Sequence, residues 1–208
     1  MITIIDYGMG NLRSVQKSFE KMNIEAQLTH DPQEIEKAQA IVLPGVGAFG
    51  AAMTNLQKLK IINVLKEKLN SGTPYLGICL GLQILFENSE ESPSTKGLGI
   101  FKGSVKHFYS DKKFPKKELT IPHMGWNQIA GKVGTKLLKG IPKEAYFYFV
   151  HSYYVEPKDK QLSTGISNYG LDFTVMIEKD NIMATQFHPE KSSPWGLKVL
   201  QNFVSTIK

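Results

Sequence analysis

An α/β fold is what this sequence predicts: a mostly parallel central sheet flanked by helices, with an antiparallel extension. Three observations predict it. From Met1 to about Asn70, short apolar runs alternate with amphipathic stretches, the pattern of parallel strands joined by crossover helices. Gly77-Ile78-Cys79-Leu80-Gly81 then links an apolar run ending at Ile78 to another starting at Leu82, so a strand turns sharply into a helix at a cysteine. After Phe86, strand-like runs succeed one another with few helices between them, so the pattern of crossover helices ends there.

Taken in order, Met1 to Ile5 reads as a strand and Asn11 to Met22 as a helix with Leu12, Val15 and Phe19 turned inward. Ala26 to Thr29 is a second strand. Asp31-Pro32, followed by Glu34, opens a helix with a capping carboxylate and a proline at its first position. Ala40 to Leu43 is a third strand, ended by the turn Pro44-Gly45-Val46-Gly47, and a helical stretch runs on to about Asn70. Pro74 marks the start of the central strand Tyr75 to Ile78, and Leu82 to Phe86 is apolar and suited to a helix. Asn88 to Lys96 is polar and loop-like. Strands are expected over Thr120 to Ile129, Tyr146 to Val150, Leu162 to Ser167, Phe173 to Glu178 and Asn181 to Phe187, and a last helix over about Pro194 to Ile207. With no internal repeat and no low-complexity segment, residues 1–208 are expected to form one domain, a length that suits one sizeable core.

The composition narrows the function classes. A hydrophobic content of 41% is that of a soluble chain, no apolar run approaches membrane-spanning length, and Met1 leads straight into a strand without a basic leader. The single cysteine cannot form an internal disulfide, which fits a reducing compartment and an expected place in the cytoplasm. The net charge of +6 comes largely from scattered lysines, with a cluster at Lys112, Lys113, Lys116 and Lys117, and Arg13 is the only arginine. Nucleic-acid recognition leans on arginine forks, so a solvated lysine surface is the better reading. No close Cys/His cluster has ligand spacing, and neither metal nor cofactor is expected.

The chemistry gathers at Cys79. A glycine two residues to each side, between a strand and a helix, makes a nucleophile elbow, where only glycine lets the two backbones approach so closely. The first turn of a following helix offers free N–H groups and a dipole that favour the thiolate. The alternative is a buried cysteine serving as a small hydrophobe. A cysteine nucleophile needs a base and a group that orients it. Of the five histidines, His188 stands out in Gln186-Phe187-His188-Pro189-Glu190. Side chains two apart on a strand share a face, so Glu190 can hold the His188 imidazole. The tetrahedral oxyanion formed by attack on a carbonyl carbon needs aimed N–H donors. The elbow places Leu80 N–H, and the turn after the third strand is the expected source of a second. Gln83, four residues beyond Cys79, lies on the same helical face and either contacts substrate or is a surface glutamine.

The elbow Gly77-Ile-Cys-Leu-Gly-Leu-Gln83, together with Gln186-Phe-His-Pro-Glu190, resembles the class I glutamine amidotransferases, the triad glutaminases. Ile5-Asp-Tyr-Gly-Met-Gly-Asn-Leu12, Leu43-Pro-Gly-Val-Gly-Ala-Phe49, Pro122-His-Met-Gly-Trp-Asn127 and Phe149-Val-His-Ser-Tyr-Tyr154 narrow the resemblance to the glutaminase subunits of imidazole glycerol phosphate synthase. It runs from Met1 to the final helix, with no departure at Cys79, His188 or Glu190. It implies the family's mostly parallel sheet with an added antiparallel portion, and catalysis by a Cys79–His188–Glu190 triad. It also implies an oxyanion donor in the Val46/Gly47 region and substrate contact at Gln83. A separate cyclase subunit, similar to a (β/α)₈ barrel, is the implied partner, met by Asn11, His123, Trp126 and Tyr153. A glycine turn such as Asp6 to Asn11 is otherwise a weak nucleotide-loop signal. A duplicated glutaminase serving another synthase, and a non-catalytic regulatory subunit, stand as alternatives.

Overall fold

The computed structural model describes residues 1–192 and 194–207. Its first half alternates β1 (Ile2–Ile5), α1 (Leu12–Glu20), β2 (Ala26–Thr29), α2 (Pro32–Glu36), β3 (Ala40–Gly45), α3 (Phe49–Lys58), α4 (Ile61–Asn70), β4 (Tyr75–Cys79) and α5 (Leu80–Gln83). The second half is strand-rich: β5 (Phe86–Ser89), β6 (Phe101–His107), β7 (His123–Gln128), β8 (Ala130–Gly131), β9 (Tyr146–His151), β10 (Tyr153–Pro157), β11 (Ser163–Asn168), β12 (Asp172–Lys179) and β13 (Ile182–Thr185), closed by α6 (Trp195–Val204). Among the described residues one sheet holds eleven strands, ordered β2-β1-β3-β4-β13-β12-β10-β6-β5, with β11 and β8 branching from β12. From β2 to β13 the pairing is parallel, and β12, β10 and β6 then run antiparallel to their predecessors. The fold is therefore the expected mixed α/β architecture.

Strands β1, β3, β4 and β13 are buried along their whole length because helices cover both faces. On β3, Ile41 and Leu43 face Phe49, Leu56 and Leu65 of α3 and α4, while Val42 faces Val15 and Phe19 of α1 and Phe203 of α6. Helix α1 turns Val15 and Phe19 inward and leaves Leu12 part-buried, as the periodicity predicts. Asp31 caps α2 through Gln33 N, with Pro32 at its first position.

Four differences from the sequence reading have physical causes. The stretch to Asn70 is two helices, broken at Lys60 in the left-handed conformation (φ 58°). The helix expected over Leu82 to Phe86 stops after Gln83. The carbonyls of Ile84, Leu85 and Phe86 accept instead from Leu98, Phe101 and Gly99, and this pairing starts β5 inside the segment expected to be helix and loop. Strands β6 and β10 went unpredicted. In β6 only Phe101 and Val105 are strongly apolar and Gly103 sits at φ +134°, so no alternation was visible. The strand expected to reach Phe187 ends at Thr185, and His188 enters a 3₁₀ turn over Pro189–Lys191.

Candidate active site

Strands β3 and β4 deliver the two turns side by side, with Gly45 paired to Cys79. Cys79 holds φ 55° and ψ −103°, a conformation costly for a residue with a side chain. Its surroundings enforce it. A Cβ on Gly77 would lie 2.5 Å from Gly81 O, and one on Gly81 would run into Leu43 O. The glycines are thus required by close backbone approach on both sides of the thiol, as the elbow predicts. Helix α5 is only a single turn, which removes most of the dipole expected to favour the thiolate.

The thiol has polar company of another kind. Gln186 Nε2 donates to Cys79 Sγ at 3.4 Å. His188 Nδ1 is 2.8 Å from Glu190 Oε1, with both side chains almost fully buried. The pairing is reached through the 3₁₀ turn rather than through alternation along a strand, a correction to the expected geometry. His188 N donates to Tyr148 O, and Ser192 Oγ donates to His188 O at 2.6 Å, so the backbone on either side of the ring is fixed. Among the described residues His188 Nε2 is buried with no hydrogen-bond partner. Burial alone pushes the imidazole below its usual 6.5, but Cys79 and Glu190 outweigh burial and raise it to about 10. That direction favours the imidazolium form of His188.

A cavity of about 410 Å³ opens over Cys79, lined also by Val46, Gly47, Leu80, Gln83, Tyr153 and Glu91. Val46, Gly47, Leu80 and Gln83 therefore meet around the thiol, as expected. Gly47 sits at φ +97° and Val46 is exposed. Of the expected partner-facing residues, Trp126 is 54% exposed, and Asn11 is exposed as the cap of α1. Tyr153 lies at the cavity with its ring edge-on to His107. His123 is a correction: it points to the buried side of β7, opposite Met124 and Trp126, and is 3% exposed. Gln186 and Glu91 were not singled out as site residues. Gln186 stood in the His188 motif without an assigned role. Glu91, whose Oε2 accepts from Phe49 N at 2.7 Å, lay in a polar stretch with no signal to mark it.

Against Gly45, the Tyr7 hydroxyl occupies the space a side chain there would need, is buried and has no hydrogen-bond partner among the described residues. Burial, then Cys79, pushes its pKa well above the tyrosine range. An orphaned buried hydroxyl destabilises a fold, so Tyr7→Phe is expected to raise stability by about 1 kcal/mol. Urea unfolding measures this, and a lowered midpoint would show that the hydroxyl has a partner.

An elbow cysteine and a carboxylate-held histidine on a doubly flanked parallel sheet are the parts of an acyl-transfer site. The family model for glutamine amidotransferase class-I matches residues 3–207. Solved structures share the fold: a glutamine amidotransferase at TM-score 0.74 and 15% identity, covering 99% of this chain and 98% of that one, and PurLQS from Thermotoga maritima at 0.75 and 18%, covering 100% and 98%. Two relatives named imidazole glycerol phosphate synthase subunit HisH are each 50% identical. One, from Desulfitobacterium hafniense (strain DSM 10664 / DCB-2), covers 98% of this chain and 93% of the relative. The other, from Methanothermobacter thermautotrophicus, covers 100% of both. The chain belongs to this family, the glutaminase subunits of imidazole glycerol phosphate synthase. Among the described residues no helix is long and apolar enough to cross a membrane.

Proposed function

We propose that this chain works as one glutaminase domain over residues 1–208, in the cytoplasm, hydrolysing glutamine through Cys79, His188 and Glu190. The ammonia passes to a cyclase subunit of histidine biosynthesis that resembles a (β/α)₈ barrel. The observation that carries this reading is the His188–Glu190 pair at 2.8 Å, its Nε2 without a partner among the described residues, with the thiol of a strained elbow close enough to act on the same ring. The Cys79 thiolate attacks the side-chain amide carbon, and the oxyanion takes the N–H of Leu80 and one from the Val46/Gly47 turn. His188 protonates the departing nitrogen, so ammonia leaves and a γ-glutamyl thioester remains. His188 then takes a proton from water, which attacks the thioester, releases glutamate and restores Cys79. Glu190 keeps the imidazole in its orientation and tautomer.

Ammonia from this site, with a phosphorylated ribulosyl precursor, would let the partner make imidazole glycerol phosphate and an aminoimidazole carboxamide ribotide. The face carrying Met124, Trp126 and Tyr146 supports a partner on that side, since these large apolar side chains are more than half exposed. The loop before α1 packs on the oxyanion turn. A Cβ on Gly47 would lie 2.8 Å from Met9 Cε, and one on Gly10 would lie 3.3 Å from Gly45 Cα. Contact with a partner near Asn11 can thereby bias the turn between donor-in and donor-out states, provided that the partner binds one of them more tightly.

The isolated chain is accordingly expected to release glutamate slowly. Addition of the cyclase with its ligand should raise the rate by about a hundredfold or more, the worth of aiming one oxyanion donor. Steady-state glutamate release by the chain alone, with the cyclase, and with the liganded cyclase measures this. Full activity of the chain alone would reject the gating and leave the triad standing.

A further inference from the structure

Two buried histidines lie outside the triad, and they are wired to it. His151 Nδ1 is 2.8 Å from Tyr153 O, and His151 Nε2 is 3.0 Å from His123 Nδ1. His123 Nε2 lies 3.3 Å from Asn127 Nδ2, which also donates to Asn168 O at 2.8 Å. On the other side of Tyr153, Gln83 Nε2 donates to the same carbonyl at 3.1 Å and to Gln186 Oε1 at 3.1 Å. Gln186 Nε2 then reaches Cys79 Sγ.

The direction of every proton in this chain is determined, because a carbonyl oxygen only accepts. Tyr153 O requires a proton on His151 Nδ1. His151 Nε2 is then an acceptor, so His123 Nδ1 carries the next proton and His123 Nε2 accepts. At the far end Asn168 O independently turns the Asn127 amide nitrogen toward His123 Nε2, which must again accept. The two backbone carbonyls thus demand the same tautomer at both rings. The rings are held by packing: His123 is stacked between Phe149 and Tyr169, and His151, which borders the cavity over Cys79, packs against Phe108 and Phe173. Both are held neutral, lowered by burial to about 4 and about 3, with His123 as a second cause at His151.

We propose that the Asn127–His123–His151 chain is a positioning device for glutamine recognition, fixing the Tyr153 carbonyl and through it the orientation of the Gln83 amide. With its nitrogen committed to Tyr153 O and Gln186 Oε1, Gln83 turns its oxygen to the cavity as an acceptor for an N–H of the substrate. The same commitment turns the Gln186 nitrogen toward the thiol. Asn127 stands next to Trp126 on β7, so the chain runs from the strand that bears the exposed aromatic face to the glutamine pocket. The inference rests on the glutaminase reading above.

Its test has two readouts. Nitrogen-15 NMR of the intact chain at neutral pH should show both His123 and His151 as Nδ1–H imidazoles, the tautomer less favoured in free histidine. An Nε2–H ring at His151 would overturn the chain. In the complex with the cyclase, Asn127→Asp puts a carboxylate where a donor is required, and His123→Phe keeps the stacked ring while removing both nitrogens. Each is expected to raise KM for glutamine about tenfold, the scale of one lost hydrogen bond, with kcat held within about twofold. Synthesis driven by added ammonium should be unchanged, and co-elution of the two subunits on gel filtration shows that the complex is assembled. An unchanged KM in Asn127→Asp, or a loss confined to kcat, overturns the proposal. Failure of the glutaminase reading is seen separately, as no glutamate release by the unsubstituted complex.

Discussion

Cys79→Ala is expected to lower glutamine-dependent turnover by about 10⁴-fold or more, since removing the nucleophile of a unit that acts together leaves only binding and the oxyanion donors. No second cysteine exists in the chain to take its place. The fold should survive. The side chain shrinks by one sulfur in a segment already held by Gly77 and Gly81, and the strained φ of Cys79 is imposed by backbone contacts on either side. Alanine at φ 55° carries the same backbone strain as cysteine, so the elbow has little to gain or lose. Supplying ammonium salts to the complex bypasses the missing step, and synthesis by the cyclase should then proceed at its ordinary rate. Glutamate release and ammonium-driven synthesis, read beside the urea unfolding midpoint of the variant chain and its co-elution with the cyclase, separate a chemical loss from a folding one. Glutaminase activity retained in Cys79→Ala would remove the nucleophile assignment.

The parallel half of the fold was legible because its strands are buried on both faces and its glycines punctuate the turns. Ile2–Ile5, Ala40–Gly45 and Tyr75–Cys79 are unbroken apolar or small runs, and each ends where the chain must turn. The antiparallel half was less so. Strand β10 carries Glu156 and β6 carries two lysines and a glycine, and their pairing is decided by each other's backbones rather than by any local pattern. The short α5 shows the same limit from the other side. Leu82 to Phe86 has helical apolar content, but three of its carbonyls are claimed by residues 98–101, a partnership invisible to local spacing. Site residues were legible where a rare residue type met a geometric demand, as at Cys79 and its glycines. Gln186 was not, since a glutamine two residues before a histidine acquires meaning only when its amide is seen reaching Sγ across a sequence gap of more than a hundred residues. His123 was misplaced because motif membership does not say which face of a strand a residue takes. Its separation from Trp126 by three positions puts the two on opposite faces of β7.

His188→Asn is expected to cost about 10³-fold or more in glutamine-dependent kcat, close to the loss of the nucleophile itself, because the proposed mechanism runs both proton transfers through one ring. Asparagine keeps a polar group near the Glu190 carboxylate but cannot carry the proton to the leaving nitrogen. Glu190→Gln should cost less, about 10²-fold, since it removes the orienting charge while leaving the base in place. Its second effect has a definite sign. Glu190 is among the groups that raise His188 to about 10, so its loss lets burial draw the imidazole back down. The imidazolium is then lost at lower pH, and the alkaline limb of the kcat profile should move toward neutrality. Steady-state glutamate release between mildly acidic and strongly alkaline pH, for the unsubstituted complex, His188→Asn and Glu190→Gln, reads both effects. A near-normal rate in His188→Asn would reject this histidine as the base. An unmoved alkaline limb in Glu190→Gln would show that the carboxylate orients the ring without setting its charge.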